Sequence, residues 1–333
     1  MAALPPLRYL GTEDVLAAMP PLEERLRLAE RTLTALATPE ATQLPPKIAI
    51  HPRPEAAFIH AMPAHLRGDS PADDLAGMKW VAGYRTNNEL GLPSISAVVV
   101  MNDAATGLPT AILDGGPITA QRTAAVTGAA LRHFGPRLHG RTPIVGFIGA
   151  GVQGHSHLPV LGHVLPGLEL RIFDRHAERA AELAEAARAT EGIASATVVE
   201  SGPAATEGAD AVVTAASLTS PDLRQALTND WLSTDVTLVP IDYDTHAAAE
   251  VARDAALFLV DQTEQFLYTR GTGHFTGYPD PHAMLGLAIL EGWERPPGRI
   301  VVSHLGVGLA DVVFGDAIVR RAEELGLGTL LAR

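Results

Sequence analysis

The segment Pro143-Ile-Val-Gly-Phe-Ile-Gly-Ala-Gly-Val-Gln-Gly154 joins a short apolar run to a complete G-x-G-x-x-G. The run from Ile144 to Ile148 has the length and composition of a strand buried on both faces of a sheet. In the glycine pattern, Gly149 allows a tight turn, Gly151 lets the backbone approach a pyrophosphate, and Gly154 lets the next helix pack close to the strand. Val152 and Gln153 open that helix, whose free N–H groups and positive dipole end suit phosphate. Residues 168–173 read as the next strand and end in Asp174, a carboxylate placed to accept hydrogen bonds from an adenosine ribose. The plainer reading, a glycine turn and an N-cap aspartate, fits this succession of strand, fingerprint, helix, strand and acid less well. Asp174 would repel a 2′-phosphate, which favours NAD over NADP; its neighbour Arg175 works against that preference.

The chain of 333 residues is long enough for two domains, and its 47% hydrophobic content fits a globular α/β protein. A formal net charge of −13 argues against nucleic acid as a partner, although local cations still decide whether a small anion binds. The absence of cysteine excludes disulfides and thiolate metal sites. His246, His274 and His282 make no metal-ligand spacing with nearby carboxylates, so no metal is expected. The opening Met-Ala-Ala-Leu-Pro-Pro lacks a basic segment followed by an apolar one, and no run of about 18 apolar residues occurs. Neither a signal peptide nor a membrane span is expected, and the cytoplasm is the default location.

Residues 22–36 keep apolar side chains at helical spacing and predict one amphipathic helix. After Pro45-Pro46 come short segments rich in β-formers, at 47–51, 57–62, 77–83, 94–102 and 110–114, punctuated by turns. Strands in succession before any βαβ alternation predict an antiparallel or mixed sheet of their own. Residues 119–134 predict a helix of small residues leading into the glycine segment. Beyond it, 177–187 predicts a helix, 197–200, 211–214, 237–241 and 257–260 predict strands, and 299–303 the last strand of that sheet. A final amphipathic helix at 310–325 comes too late for the nucleotide domain and is expected to pack on the first one. The expected fold is therefore α/β: a Rossmann dinucleotide-binding domain, residues 123–307, inserted into an α+β substrate and dimerisation domain made of 1–122 and 308–333.

Four cations sit in apolar or strand-like surroundings: Lys47, His60, Lys79 and Arg122. A lysine central to Leu75-Ala-Gly-Met-Lys-Trp-Val-Ala-Gly83 is costly to bury without an anion; the alternative is a lysine guarding a sheet edge. His60 has the setting of a satisfied core histidine. Arg122-Thr123 opens a helix of small residues, where an arginine reaches a phosphate bidentately or makes a surface salt bridge. Asp242 and Asp244 flank Tyr243 at the end of an expected strand, where ligands of doubly wound sheets bind and a carboxylate is placed to act as a base. The alternative is a turn or capping aspartate.

Several runs together resemble the ornithine cyclodeaminase/μ-crystallin family, which also holds archaeal alanine dehydrogenases and ketimine or imino-acid reductases. They are Pro45-Pro-Lys47, His60-Ala-Met-Pro-Ala64, Gly77-Met-Lys79, Gly91-Leu-Pro-Ser94, Asp103-Ala-Ala-Thr-Gly107, Leu113-Asp-Gly-Gly-Pro-Ile-Thr-Ala-Gln-Arg-Thr-Ala-Ala125, the glycine fingerprint, and Ser303-His-Leu-Gly-Val-Gly-Leu-Ala-Asp311. The resemblance implies an NAD-dependent homodimer acting on a small amino or imino acid. It puts Lys47 on the substrate carboxylate and Lys79 either on that carboxylate or in proton transfer, and implies cofactor contacts at Ser94, Arg122 and Thr123. It puts Asp242 on the substrate amine. The reaction implied is ornithine-cyclodeaminase-like hydride transfer at Cα through an imine. The alternative is an imine reductase or amino-acid dehydrogenase, and a binding protein of the μ-crystallin kind is a third reading. Departures bear on the substrate: His60 stands where members carry arginine, Tyr243-Asp-Thr-His246 replaces Gly/Cys-Pro-Gly-Lys, and Arg85-Thr-Asn-Asn replaces His-Pro-x-Asn.

Overall fold

The computed structural model describes residues 4–53, 57–217 and 223–333, and the chain divides into two compact units, Met1–Arg122 with Gly306–Arg333, and Thr123–Leu305. The chain opens with β1 (Leu7–Leu10), α1 (Thr12–Ala17), α2 (Leu22–Ala37), β2 (Thr42–Gln43), β3 (Ile48–Ile50), β4 (Phe58–Leu66), β5 (Leu75–Gly83), β6 (Ile95–Asn102) and β7 (Pro109–Asp114). Next comes α3 (Gly115–Phe134), whose first turns, as far as Arg122, belong to this unit. The strands form one mixed sheet. β4, β5, β6 and β7 pair antiparallel in sequence, and β1 runs parallel to β7.

β4 runs past Pro63 to Leu66, four residues beyond the expected end at Met62. Proline cannot donate to a ladder. Pro63 lies in the gap between β3, which pairs with β4 at Ile59–Ala61, and β2, which pairs with it at His65 and Leu66. On that edge neither strand pairs with Pro63, while on the other side it stands opposite Met78 of β5.

In the second unit β8 (Ile144–Ile148), α4 (Val152–Val164), β9 (Leu168–Phe173), α5 (Ala177–Arg188) and β10 (Ile193–Val198) alternate strand and helix. They are followed by α6 (Gly202–Thr206), β11 (Ala211–Thr214), β12 (Thr237–Pro240), α7 (Ala249–Arg253) and β13 (Leu257–Val260), then α8 (Thr263–Gly271), β14 (Ala283–Met284), α9 (Leu285–Leu290) and β15 (Ile300–Ser303). The strands are all parallel, in the order β10-β9-β8-β11-β12-β15-β13-β14. Every residue of β11, β12, β13 and β15 is buried, as the continuous apolar runs require of strands covered on both faces. The order reverses between β8 and β11, the switch point outside which doubly wound sheets bind ligands. β15, the last strand of this sheet in chain order, is inserted between β12 and β13.

The chain then returns to the first unit as α10 (Gly308–Leu325) and β16 (Thr329–Leu331). β16 pairs antiparallel with β1, and α10 lies against β4, β5 and β6. Among the described residues no helix is long and apolar enough to cross a membrane.

Candidate active site

In the first unit, register places Met62, Lys79 and Val99 side by side on the face of the sheet turned to α10. Lys79 is 1% exposed, with its Nζ 2.7 Å from Oδ2 of Asp311 on α10 and 3.5 Å from Thr119 Oγ1 on α3. Arg122 Nε donates to Oδ1 of the same carboxylate at 3.2 Å. Two buried cations thus share one buried anion. The guanidinium is seated on Gly306, whose φ of +77° favours glycine and where a Cβ would stand 2.4 Å from a terminal nitrogen, so a larger residue would be strained and would displace the guanidinium.

Burial, and then the charge of Arg122, push the Lys79 ammonium down to about 7, against the pull of Asp311; Lys47 adds to the lowering. Near neutral pH this side chain therefore passes between ammonium and amine. His60 stacks on Phe58 with ring centroids 4.5 Å apart. Burial, then the charges of Lys47, His51 and Lys79, push it down to about 4, so at neutral pH it is an uncharged ring. Lys47 directly precedes β3, which brings Ala49 opposite His60. The first unit therefore gathers Lys47, His60, Lys79 and Arg122. Ser94, whose carbonyl accepts the Tyr84 N–H at 2.8 Å, and Arg85, exposed in the turn that follows β5, are bonded to neither Lys79 nor Asp311.

Sequence reasoning passed over Asp311. The signal was present: an aspartate in the otherwise apolar helical run of residues 308–314 poses the same burial cost as Lys79 does in β5.

In the second unit, Gly149 has φ +108°, and a Cβ there would meet the Ala215 carbonyl oxygen at 2.6 Å. Only glycine makes this turn against the end of β11. Gly151 has nothing within 4 Å of where a Cβ would be, which leaves its backbone open to a ligand. α4 starts at Val152 without a side-chain cap, so its first N–H groups are uncommitted. Val152 is exposed, and the Gln153 carbonyl is engaged by His157 Nδ1 at 2.6 Å. His157 is buried and its pKa is pushed down to about 4 by that burial, so Nδ1 carries the proton and Nε2 accepts from Thr127 Oγ1 at 2.9 Å. This pins the first turn of α4 to α3, the helix on which Thr123 lies buried. The Asp174 carboxylate at the tip of β9 accepts from the Ala150 and His176 N–H groups, at 2.7 and 2.8 Å, which fixes it beside the loop with lone pairs to spare. Arg175 is exposed, its Nε 3.2 Å from His176 Nε2.

These features fit a dinucleotide. Gly151→Val is expected to leave the melting temperature within a few degrees, because the protein offers the new side chain no clash. NADH affinity, read by fluorescence titration, should fall by about 100-fold or more as the side chain fills the phosphate position. Unchanged affinity would place the dinucleotide elsewhere.

Past β12, Asp242 is 5% exposed and accepts from Thr214 Oγ1 at 2.7 Å, the Ala216 N–H at 3.1 Å and His246 Nδ1 at 3.0 Å. Asp244 accepts from His274 Nδ1 at 3.0 Å and the Phe275 N–H at 2.9 Å, with Arg224 at 3.6 Å. Tyr243 between them has φ +60° and stacks on Phe275. A bulky residue held at positive φ marks a locally strained loop.

The second unit, a parallel doubly wound sheet with an open glycine loop, defines an α/β protein of the Rossmann dinucleotide-binding class, and the first unit carries its own mixed sheet with a buried lysine–aspartate–arginine group. The comparisons with known proteins go one step further. The model of the ornithine cyclodeaminase/mu-crystallin family matches residues 12–320, and the chain belongs to that family. It is 34% identical to the nodulation efficiency protein NfeD of Rhizobium meliloti, over 98% of this chain and 99% of that protein. It is 26% identical to the alanine dehydrogenase of Archaeoglobus fulgidus, over 96% of each. Among solved structures, the Δ1-pyrroline-2-carboxylate reductase of Thermococcus litoralis, in complex with NADH and L-proline, superposes with TM-score 0.83 at 24% identity, over 97% of this chain and 99% of that one.

Proposed function

We propose that this chain is an NAD-dependent enzyme that moves hydride at the Cα of a small amino acid through an imine, in the manner of an ornithine cyclodeaminase. The observation that carries the reading is the Lys79–Asp311–Arg122 group: two cations on one carboxylate leave a buried positive charge, which an incoming substrate carboxylate would offset. The glycine loop, the start of α4 and Asp174 hold the dinucleotide, with Ser94, Arg122 and Thr123 as further contacts. When bound, the nicotinamide of NAD would supply the hydride acceptor for Cα and, for a cyclodeaminase, the matching hydride donor. Lys47 and Lys79 hold the carboxylate, and the neutral ring of His60 lines the substrate without adding charge. Asp242 serves the amine side of the reaction.

Because the ammonium of Lys79 is the binding form, kcat/KM should fall as pH rises through about 7, by about tenfold per pH unit above it. His60, already neutral above about 4, should contribute no step between pH 5 and 9. Initial rates across that range check this, and a flat profile would remove Lys79 from the carboxylate.

A second reading, net imine reduction or amino-acid dehydrogenation, is favoured by the loop after β12. There Tyr243, stacked on Phe275, and the Asp244–His274 pair occupy a strained turn, and net reduction needs no group to steer a distal amine.

The outer face of the first sheet exposes Ile48, Ile50, Trp80 and Val98, an apolar surface of the kind that marks an interface, and on it we place a homodimer. A monomeric mass in light scattering would contradict this.

A further inference from the structure

We propose that the proton-carrying residue on the amine side is His246, with Asp242 as its positioning residue; this rests on the proposed function above. The observations lie at the C-terminal end of β12. Asp242 is almost fully buried and already accepts three hydrogen bonds, from Thr214 Oγ1, the Ala216 N–H and His246 Nδ1. A carboxylate so committed is held rigidly and has little access to a substrate proton. An ionised carboxylate only accepts, so His246 Nδ1 donates to it, and in the neutral ring Nε2 is left as the acceptor. Among the described residues Nε2 has no protein partner, and the side chain is 22% exposed where that of Asp242 is 1%.

The pair is also placed for the task. Ala216, whose N–H holds Asp242, belongs to the backbone that a Cβ on Gly149 would strike, at 2.9 Å from its nitrogen. One backbone turn therefore joins the Asp242–His246 pair to the first glycine of the dinucleotide loop, at the carboxyl ends of β8, β11 and β12. The backbone of His246 is fixed as well, its carbonyl accepting the Leu227 N–H at 2.8 Å.

The step balances as a proton transfer. In the oxidative direction the substrate ammonium loses one N–H bond, and the proton forms an N–H bond at His246 Nε2. The amine keeps the electron pair that the later loss of hydride from Cα requires. The imidazolium so formed stands against the Asp242 carboxylate through Nδ1–H, which stabilises its charge. In the reductive direction the same proton returns to the nitrogen. Asp242 remains ionised throughout.

The test separates proton transfer from structure. Asparagine can keep the Nδ1-type donor to Asp242 while removing the second ring nitrogen, so His246→Asn should fold and bind NADH within about twofold of the parent. Its oxidative kcat should fall by about 100-fold or more, and the acid limb of the parent pH profile should vanish. The charged and titratable groups that face this pair are Asp242 from the end of β12, Asp244 from the same loop, Arg224 from the segment before Leu227, and His274 from the loop after α8. His274→Asn is the control, and should keep the limb. Should the His246 variant not fold, nitrogen-15 NMR of the parent decides: Nδ1 protonated and Nε2 bare at neutral pH is the expected tautomer, and the reverse overturns the proposal. An active parent whose His246→Asn variant keeps both rate and limb overturns this inference alone. A parent inactive on every amino and imino acid overturns the proposed function beneath it.

Discussion

Asp311→Asn is expected to destabilise the protein by about 3–5 kcal/mol, the usual cost of removing one member of a buried ion pair. Asp311 is fully buried and sits between Lys79 Nζ, at 2.7 Å, and Arg122 Nε, at 3.2 Å. The amide that replaces it has no net charge to set against either cation. The loss should depend on pH. The folded pKa of Lys79, about 7, lies below its ordinary value of 10.5, so between those values the unfolded chain binds more protons than the folded one, and stability rises with pH. Without Asp311 the ammonium is disfavoured further. The variant should therefore be weakest near pH 6 and recover part of the difference by pH 9, whereas Arg122 stays charged and keeps the rest of the cost in place. Urea unfolding at both pH values measures this. Adding Lys79→Met to Asp311→Asn should restore part of the loss, because residues in contact do not act additively. A cycle in which the two effects simply add would mean that the pair contributes nothing to the fold.

Lys79→Met is expected to lower kcat/KM by about 1,000-fold while leaving NADH affinity within about twofold. Methionine matches the length of the buried stem and leaves Arg122 on Asp311, so the fold should survive. Substrate binding loses its ammonium, and proton transfer near Cα loses a group poised to exchange near neutral pH. Steady-state kinetics beside a fluorescence titration with NADH separate the two quantities. A variant with the parent rate would move the carboxylate site away from β5, and one that lost NADH as well would show that the effect is structural.

Much of this was legible in the chain. The glycine fingerprint is a local pattern whose geometry follows from its residues, and Gly149 at φ +108° and the open Gly151 are what it calls for. Lys79 stood out because a charge in a β-forming run has a definite burial cost. Its anion did not, since Asp311 lies far along the chain and only the packing of α10 on β5 brings the two together. The order of the parallel sheet was hidden for the same reason: the buried strands are alike in composition, and nothing local tells β15 to enter between β12 and β13. β4 continues beyond residue 62 through Pro63 because a proline ends a strand only where its N–H is needed, and that depends on the partner strands. The role of His246 was equally out of reach. Its spacing from Asp242 was visible, but the two other donors that saturate the aspartate come from β11 and the turn after it.

The most direct measurement is a mass-spectrometric product analysis of purified protein given catalytic NAD+ and, in turn, ornithine, lysine, 2,4-diaminobutyrate, alanine and arginine, with the NADH absorbance followed throughout. The expected result is a cyclic amino acid and ammonia from a diamino acid, without accumulation of NADH. Stoichiometric NADH with a keto acid would keep hydride transfer at Cα and assign the protein to dehydrogenation or imine reduction. No product from any amino acid, and no oxidation of NADH by the corresponding cyclic imines, would contradict hydride transfer at Cα as its activity.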